Sequence, residues 1–269
     1  MSRQPDNKPV VLITGGSSGI GKATAEALLA RGCTVYTLSR RDGNVPGARH
    51  LTADVTDEAA VTAAVQTVAD EAGRIDLLIN NAGYGISGAV EFTDTAQAQA
   101  LFDVNFFGVV RVTRAVLPLM RAQGGGRILN LSSVAAPMAI PFQTYYSASK
   151  AAVLTYSAAL DNEVKPFGIR VCAVLPGDIA TGFTAAREKS AQGDDVYGGR
   201  IERSVSRMEK DEQNGLSTAY AGNFLAKIAL RKKVKPQVVM GGAYRLAVAA
   251  GRFLPCSLVS WILGKMYAA

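Results

Sequence analysis

Tyr146 and Lys150 stand four residues apart in Tyr146-Ser147-Ala148-Ser149-Lys150, at the start of a predicted helix. Residues with that spacing share one helical face, one turn from each other. A neighbouring ammonium favours the phenolate and draws a tyrosine from its ordinary pKa of about 10 toward the working range of a general acid/base. Tyr145 is adjacent, but only Tyr146 lies four before Lys150. Ser132-Ser133 ends the preceding predicted strand, where a hydroxyl could reach a carbonyl oxygen. Asn80-Asn81-Ala82-Gly83 ends an earlier strand, and Asn105 falls inside a long helix.

A second group of residues has the chemistry of a phosphate cradle. Thr14-Gly15-Gly16-Ser17-Ser18-Gly19-Ile20-Gly21 follows the first predicted strand and opens the first helix. Glycines at such a turn let the backbone approach a pyrophosphate, and the helix N-terminus supplies free N–H groups. The second strand then ends Leu38-Ser39-Arg40-Arg41, with no carboxylate before Asp42. A carboxylate at that strand end accepts from a ribose 2′-hydroxyl, whereas Ser39 and Arg40 suit a 2′-phosphate. The expectation is NADP(H).

The elements that must position these groups alternate regularly. Strands are predicted at Val10–Ile13, Thr34–Leu38, Ala48–Thr52, Asp76–Asn80, Arg127–Leu131 and Ile169–Leu175, with an edge strand at Val238–Met240. Helices are predicted over about Ser18–Arg31, Asp57–Ala72, Thr95–Ala122, Thr144–Pro166 and Thr218–Leu230. Apolar strands alternating with helices imply a mostly parallel sheet covered on both faces, doubly wound in the Rossmann manner, with ligands at its C-terminal edge. The chain reads as one α/β domain over 1–269, with no linker or repeat. The polar stretch Thr181–Gly215 is expected as a mobile substrate lid, and residues 241–269 as an apolar, basic extension.

Composition excludes several other classes. A hydrophobic fraction of 48% with 19% charged residues is that of an ordinary globular protein. The net charge of +7 comes from scattered basic residues without an aromatic stripe, which suits an anionic cofactor and not a nucleic acid. Cys33, Cys172 and Cys256 are odd in number and far apart, so they read as buried apolar residues in a reducing compartment. His50 is the only histidine, which leaves almost no material for a metal site or a Ser–His–Asp triad. The first ten residues lack the apolar core of a signal peptide, and the longest apolar stretch is cut by Arg252 and Pro255. A soluble, cytoplasmic protein without a transmembrane span is expected.

Taken together, the motifs resemble the short-chain dehydrogenase/reductase family, certainly from Val10 to Phe183. The matching residues are Thr14–Gly21, Asp54-Val55, Asn80–Gly83, Asn105, Ser133, Tyr146 with Lys150, and Pro176-Gly177 with Thr181. The resemblance implies a seven-stranded Rossmann domain and hydride transfer between a nicotinamide and a ketone or secondary alcohol. It implies that Tyr146 exchanges the proton, that Ser133 orients the oxygen, and that Lys150 holds the nicotinamide ribose and lowers the tyrosine pKa. Asn105 would hold a water that continues the proton relay. Gly15, Ser17, Ser18, Gly19 and Ile20 would hold the pyrophosphate, Asp54 and Val55 the adenine, and Asn81, Ala82 and Gly83 the ribose side. Pro176, Gly177 and Thr181 would meet the nicotinamide end. The family's usual separation of thirteen residues selects Ser133 over Ser132, which reads as a strand-end hydroxyl bonded to backbone.

The substrate side is less explicit. Gly85–Gly88, Val134–Phe142 and the lid should line the pocket, and their low charge favours a lipophilic carbonyl. The run from Ser133 to Tyr146 looks like the 17β-hydroxysteroid dehydrogenase-like branch, which would imply a steroid-, retinoid- or lipid-like substrate. A small non-lipid ketone or a 3-oxoacyl substrate is the alternative. A non-catalytic NADP(H)-sensing protein is a more distant reading, since this chain keeps both tyrosine and lysine. So is a dinucleotide-dependent epimerase or dehydratase, since those relatives are usually longer, with a different glycine spacing and a larger C-terminal domain. The resemblance also implies a homodimer or homotetramer. The tail from Arg231 to Ala269 could close the pocket, pack on another subunit, or touch a membrane surface peripherally.

Overall fold

The fold follows from seven short apolar segments that can be buried only edge to edge. A computed structural model describes residues 8–268. The first seven residues and Ala269 of the expected domain lie outside the described residues. The strands are β1 (Val10–Thr14), β2 (Thr34–Ser39), β3 (Arg49–Thr52), β4 (Leu77–Asn80), β5 (Gly126–Leu131), β6 (Ile169–Leu175) and β7 (Gln237–Val239). They form one sheet in the spatial order β7-β6-β5-β4-β1-β2-β3, parallel at every pairing. The chain winds outward from β1 to β3, then returns to β4 and winds the other way. This reversal between β1 and β4 opens a crevice at the C-terminal edge, where such sheets bind ligands.

Val11, Leu12 and Ile13 alternate between the two faces, and all three are fully buried. Leu12 and Leu78 face helices α2 (Glu58–Ala72), α4 (Gly108–Ala122) and α5 (Thr144–Val164), through Val61, Val116 and Leu160 among others. Val11 and Ile13 face α1 (Gly19–Leu29) and α8 (Thr218–Ala229), through Leu28, Leu225 and Ile228. The single Rossmann-like α/β domain expected from the alternation is what forms.

Three segments depart from the expected pattern. The helix expected over Thr95–Ala122 is split into α3 (Thr95–Phe102) and α4 by a π-helical turn at Asp103–Phe107. Single π turns widen a helix by one residue and occur often at functional sites. The polar stretch after β6 is mostly ordered as helix: α6 (Phe183–Ala186), a two-residue strand Glu188–Lys189 paired with Ile86–Ser87, and α7 (Arg200–Gln213). Helix α7 was hidden by its polarity, yet Ile201, Ser204 and Met208 form a buried stripe at helical spacing. The tail forms α9 (Gly242–Gly251) and α10 (Cys256–Tyr267). Cys33 and Cys172 are buried as expected, but Cys256 is exposed, because α10 lies on the surface. His50 sits between the Thr37 and Thr52 hydroxyls, 3.3 Å from each.

Helix α5, which carries Tyr146 and Lys150, is anchored to the sheet by polar bonds at both its middle and its end. The Ser157 hydroxyl accepts from Asn130 Nδ2 on β5 at 2.9 Å, and the Asn130 carbonyl accepts from Asn80 Nδ2 on β4 at 2.8 Å. Asp161 accepts from Arg170 Nε and Nη2 at 2.9 Å each and from the buried Val171 N–H at 2.7 Å. Replacing Asp161 by alanine leaves that N–H without a partner. The Asp161→Ala variant should therefore lose about 2–3 kcal/mol of stability in urea unfolding; a loss below about 0.5 kcal/mol would contradict the anchoring role.

Candidate active site

The glycine turn after β1 folds into a cradle that side chains would fill. Gly15 has φ +66°, in the left-handed region, and a Cβ there would stand 2.9 Å from Ala82 Cα. A Cβ on Gly21 would run into the Gly15 carbonyl oxygen. The turn is locked to β4 by Thr14, whose hydroxyl accepts from the N–H groups of Asn81 and Ala82 at 3.0 Å each. Asn81 Nδ2 returns the contact, donating to the Thr14 and Gly15 carbonyls at 3.0 and 3.1 Å. Ser18 precedes α1 in an extended conformation and makes no side-chain cap, and no acidic residue occupies the first turn. The first N–H groups of α1 thus lack an internal acceptor, as a helix that receives phosphate requires. Thr181 lies across the crevice, with its Cβ 3.7 Å from where a Cβ on Gly19 would be. This cradle fits a dinucleotide pyrophosphate.

At the end of β2 the Ser39 hydroxyl donates to the Arg41 carbonyl at 2.8 Å. Arg40 is 76% exposed, with Nε 4.0 Å from Asp54 Oδ2. Asp54 also accepts from Thr56 N–H and hydroxyl at 3.0 and 2.9 Å, which fixes its loop after β3. Val55 is buried against Gly108, at the start of α4. Pro176 and Gly177 follow β6, and the Tyr244 ring of α9 packs directly on Gly177 while its hydroxyl donates to Asp178 at 2.7 Å.

The residues expected to do chemistry converge where β4, β5 and α5 meet. Lys150 is buried, and its ammonium donates to the Leu131 carbonyl at 3.0 Å. A Cβ placed on Gly83 would lie 2.9 Å from Asn105 Oδ1 and 3.4 Å from Lys150 Nζ, so both groups border one small space. Asn105 is held in the π turn by three bonds. Its Oδ1 accepts from Tyr84 N at 3.0 Å, and its Nδ2 donates to Tyr84 O at 2.9 Å and Ser149 Oγ at 3.2 Å. The Lys150 ammonium lies 5.7 Å from the centre of the Tyr146 ring. Ser133 accepts from Ala135 N–H at 3.1 Å and hydrogen-bonds Tyr146. Ser132, in contrast, donates to the Lys150 carbonyl at 2.7 Å, which ties strand end to helix.

Burial displaces both titratable groups toward their neutral forms. The Tyr146 phenol is pushed up to about 12, chiefly by burial, with the Ser133 hydrogen bond opposing and the Glu212 charge adding to the rise. Lys150 is brought down to about 8 by burial alone. The tyrosine pKa is therefore not lowered in this arrangement. Phe183 of α6 packs against the Tyr146 ring, with ring centres 5.7 Å apart, and the nearby Asp178 and Glu212 carboxylates disfavour a phenolate.

Several site neighbours carried no readable signal in the sequence. Arg187 and Glu212 form a buried ion pair beside Phe183 and Thr184, although they lie on different elements with no recognisable spacing. Phe142 holds a positive φ of +59° just before α5, a costly conformation for a bulky residue, and its carbonyl accepts from Gly88 N–H at 2.9 Å. Tyr244 and Asp178 are brought together only by the packing of α9.

The family model for short chain dehydrogenases matches residues 9–192. The chain belongs to this family. It is 42% identical over 264 residues to the 3-ketodihydrosphingosine reductase of Bacteroides thetaiotaomicron, covering 96% of this chain and 98% of that protein. A short-chain dehydrogenase structure from Streptomyces avermitilis matches with a TM-score of 0.82 and 31% identity, over 98% of this chain and 96% of that one. The 3-ketoacyl-(acyl-carrier-protein) reductase from Brucella melitensis, solved with NADH, matches with a TM-score of 0.74 and 26% identity, over 90% and 99%. The chain is thus an oxidoreductase of the short-chain dehydrogenase type, a family that uses NAD(P)(H).

The lowered pKa of Lys150 has a thermodynamic consequence. Between about pH 8 and the ordinary lysine value of 10.5, the unfolded chain holds a proton that the folded chain has released. Stability of the wild type relative to a Lys150→Met variant should therefore rise with pH across that window, by on the order of 3 kcal/mol. Parallel curves for the two proteins in urea titrations from pH 7 to about 10.5 would contradict the burial of a titrating ammonium.

Proposed function

We propose that this chain uses NADPH to reduce a lipophilic ketone to a secondary alcohol, with a long acyl-chain ketone as the preferred class. The reading rests on one observation above the others: the half-buried Tyr146 phenol hydrogen-bonds Ser133, with the buried Lys150 ammonium 5.7 Å from its ring centre. The phenol is protonated at neutral pH and can give up its proton, and the Lys150 ammonium is the charge placed to favour that step. When bound, reduced nicotinamide supplies the hydride. Ser133 hydrogen-bonds and orients the carbonyl oxygen, and Tyr146 gives that oxygen its proton. Lys150, charged below about pH 8, holds the nicotinamide ribose hydroxyls and favours departure of the phenolic proton. Asn105 keeps Tyr84 and Ser149 in place around this relay.

Gly15, Ser17, Ser18, Gly19 and Ile20 would hold the pyrophosphate. Asp54 and Val55 would meet the adenine, Asn81, Ala82 and Gly83 the ribose side, and Pro176, Gly177 and Thr181 the nicotinamide end. Ser39 and the exposed Arg40 would pair with a 2′-phosphate. The segment from Thr181 to Gly215 would act as the lid, because Phe183 must leave the face of Tyr146 before a ketone can approach. The apolar run Val134–Phe142 supports a lipophilic substrate, and the chain's similarity to a 3-ketodihydrosphingosine reductase and a 3-ketoacyl reductase supports an acyl-chain ketone over a steroid. A homodimer or homotetramer through α4 and α5 belongs to the same reading, and the exposed Phe107, in the π turn that leads into α4, supports it.

The decisive experiment follows NADPH absorbance with a 3-keto sphingoid base, a 3-oxoacyl thioester, a steroid ketone and a small ketone. The two acyl-chain substrates should turn over fastest. Tyr146→Phe should cut kcat by about 10²–10⁴-fold while NADPH binding by fluorescence stays near wild type; undiminished turnover would refute the mechanism. For the cofactor, Arg40→Asp should move the kcat/KM ratio of NADPH to NADH by about tenfold or more toward NADH. An unchanged ratio would sink the assignment to NADP(H).

A further inference from the structure

The last two helices leave an apolar face uncovered. Phe253 is 87% exposed, Leu246 73% and Trp261 61%. Leu258, Trp261 and Ile262 recur at helical spacing on α10, so they share one outward face with Lys265 one turn further on. Leu246 on α9 and Phe253 in the turn just after it are both exposed, while α9 buries Val248 against Val134, Ala173 and Leu175. An apolar surface of this kind on a folded domain marks a place of association.

Charge decides which partner fits. The 57 residues after Glu212 contain eight lysines and arginines and no aspartate or glutamate. All 22 acidic residues precede that point, so the rest of the chain is close to neutral. Arg245, Arg252 and Lys265 are exposed beside the apolar residues of the two helices. A second copy seated here about a two-fold axis would bring this uniformly cationic surface against itself, with like charges opposed. An anionic lipid surface offers the complement of both features: acyl chains for the apolar side chains and phosphates for the cations. Helix α10 spans 12 residues, or about 18 Å, too short to cross a hydrocarbon core of about 30 Å. Among the described residues no helix is long and apolar enough to do so.

We propose that α9 and α10 form a docking surface for anionic membranes, lying in the headgroup region with Phe253, Leu246 and Trp261 inserted. The two helices are fixed to the rest of the domain at the candidate active site. Tyr244 of α9 bonds Asp178 just after β6, and at the far end of α10 the Tyr267 hydroxyl donates to Asp211 of α7 at 3.3 Å. The Ala268 carbonyl accepts from Arg200 of the same helix at 2.6 Å. Docking therefore sets the membrane beside the segment that covers Tyr146, the side from which a lipophilic substrate would arrive. The docking itself does not depend on what the site reduces.

Trp261 is the only tryptophan, so its emission reports this surface alone. The full-length protein should show a blue shift and sediment with phosphatidylglycerol/phosphatidylcholine vesicles about tenfold or more better than with pure phosphatidylcholine, a preference that fades in high salt. The double variant Leu246→Ser with Phe253→Ser should lose about tenfold or more of that partition at an unchanged circular dichroism spectrum. If that variant does not fold, Arg245→Gln with Arg252→Gln carries the same expectation for the anionic vesicles. Neither vesicle contains a ketone or a nicotinamide, so the outcome is independent of turnover. An absent shift, equal partition into both vesicles, or a solution dimer that Phe253→Ser dissociates without any vesicle binding would overturn the proposal.

Discussion

Every strand of the seven-stranded sheet runs in one direction, and the rest of the structure depends on that constraint. Parallel neighbours need a crossover between them, so every helix returns the chain to the same starting edge and every strand finishes at the other. The glycine turn after β1, Asn81–Gly83 after β4, Ser132–Ser133 after β5 and Pro176–Gly177 after β6 therefore meet at one edge, although they span more than half the sequence. The winding reverses between β1 and β4, and the two loops that part there, after β1 and β4, are cross-linked by Thr14 and Asn81. The crevice is thus a product of strand order, and its width is fixed by four hydrogen bonds.

The second determinant is how deeply the reactive groups are buried. Helix α5 must cover the centre of the sheet, and that requirement places its Lys150 where no solvent reaches the ammonium. Burial then drives the two groups apart in proton affinity, the tyrosine phenol upward and the lysine ammonium downward. The surrounding polar groups keep this arrangement from relaxing. Asn80, Asn130, Thr113 and Ser157 link β4, β5, α4 and α5 through the core, and a polar network in a low-dielectric interior specifies one alignment of its elements. The π turn at Asp103–Phe107 does the same for Asn105. Its extra residue turns the amide into the space bordered by Gly83 and Lys150 instead of along the helix face.

The periphery is governed by a different balance. Helix α9 buries Val248 on the end of the sheet, α10 is tied to α7 by the Tyr267–Asp211 bond, and their outer surface stays apolar and cationic. Such a surface is poorly matched to water and to its own image, so its composition is better explained by a partner than by folding. Its covalent and hydrogen-bonded continuity with the segment over Tyr146 makes the surface and the site parts of one structural unit.

Much of this was legible in the residues. Near-continuous apolar runs in alternation with Ala-rich helices are sufficient to specify a doubly wound parallel sheet, and the seven strands form where that pattern places them. Tyr146 and Lys150 announce themselves by helical spacing, and the glycine turn by its position between a strand and a helix. What escaped reading had no local periodicity to carry it. Helix α7 is so polar that only three buried positions mark it, the π turn has no sequence signature inside an otherwise regular helix, and Cys256 looks like a core residue until α10 is seen to lie outside. The raised tyrosine pKa was equally invisible. Sequence spacing shows which charge can approach the phenol, but only tertiary packing decides how much water is removed from both, and here desolvation raises the phenol. The sequence by itself determined the fold, the family and the candidate reactive groups, because those follow from short-range pattern. Tertiary structure decided their protonation, the Arg187–Glu212 and Asp178–Tyr244 pairs, and the open face of the C-terminal helices, because each arises from contacts between residues far apart in the chain.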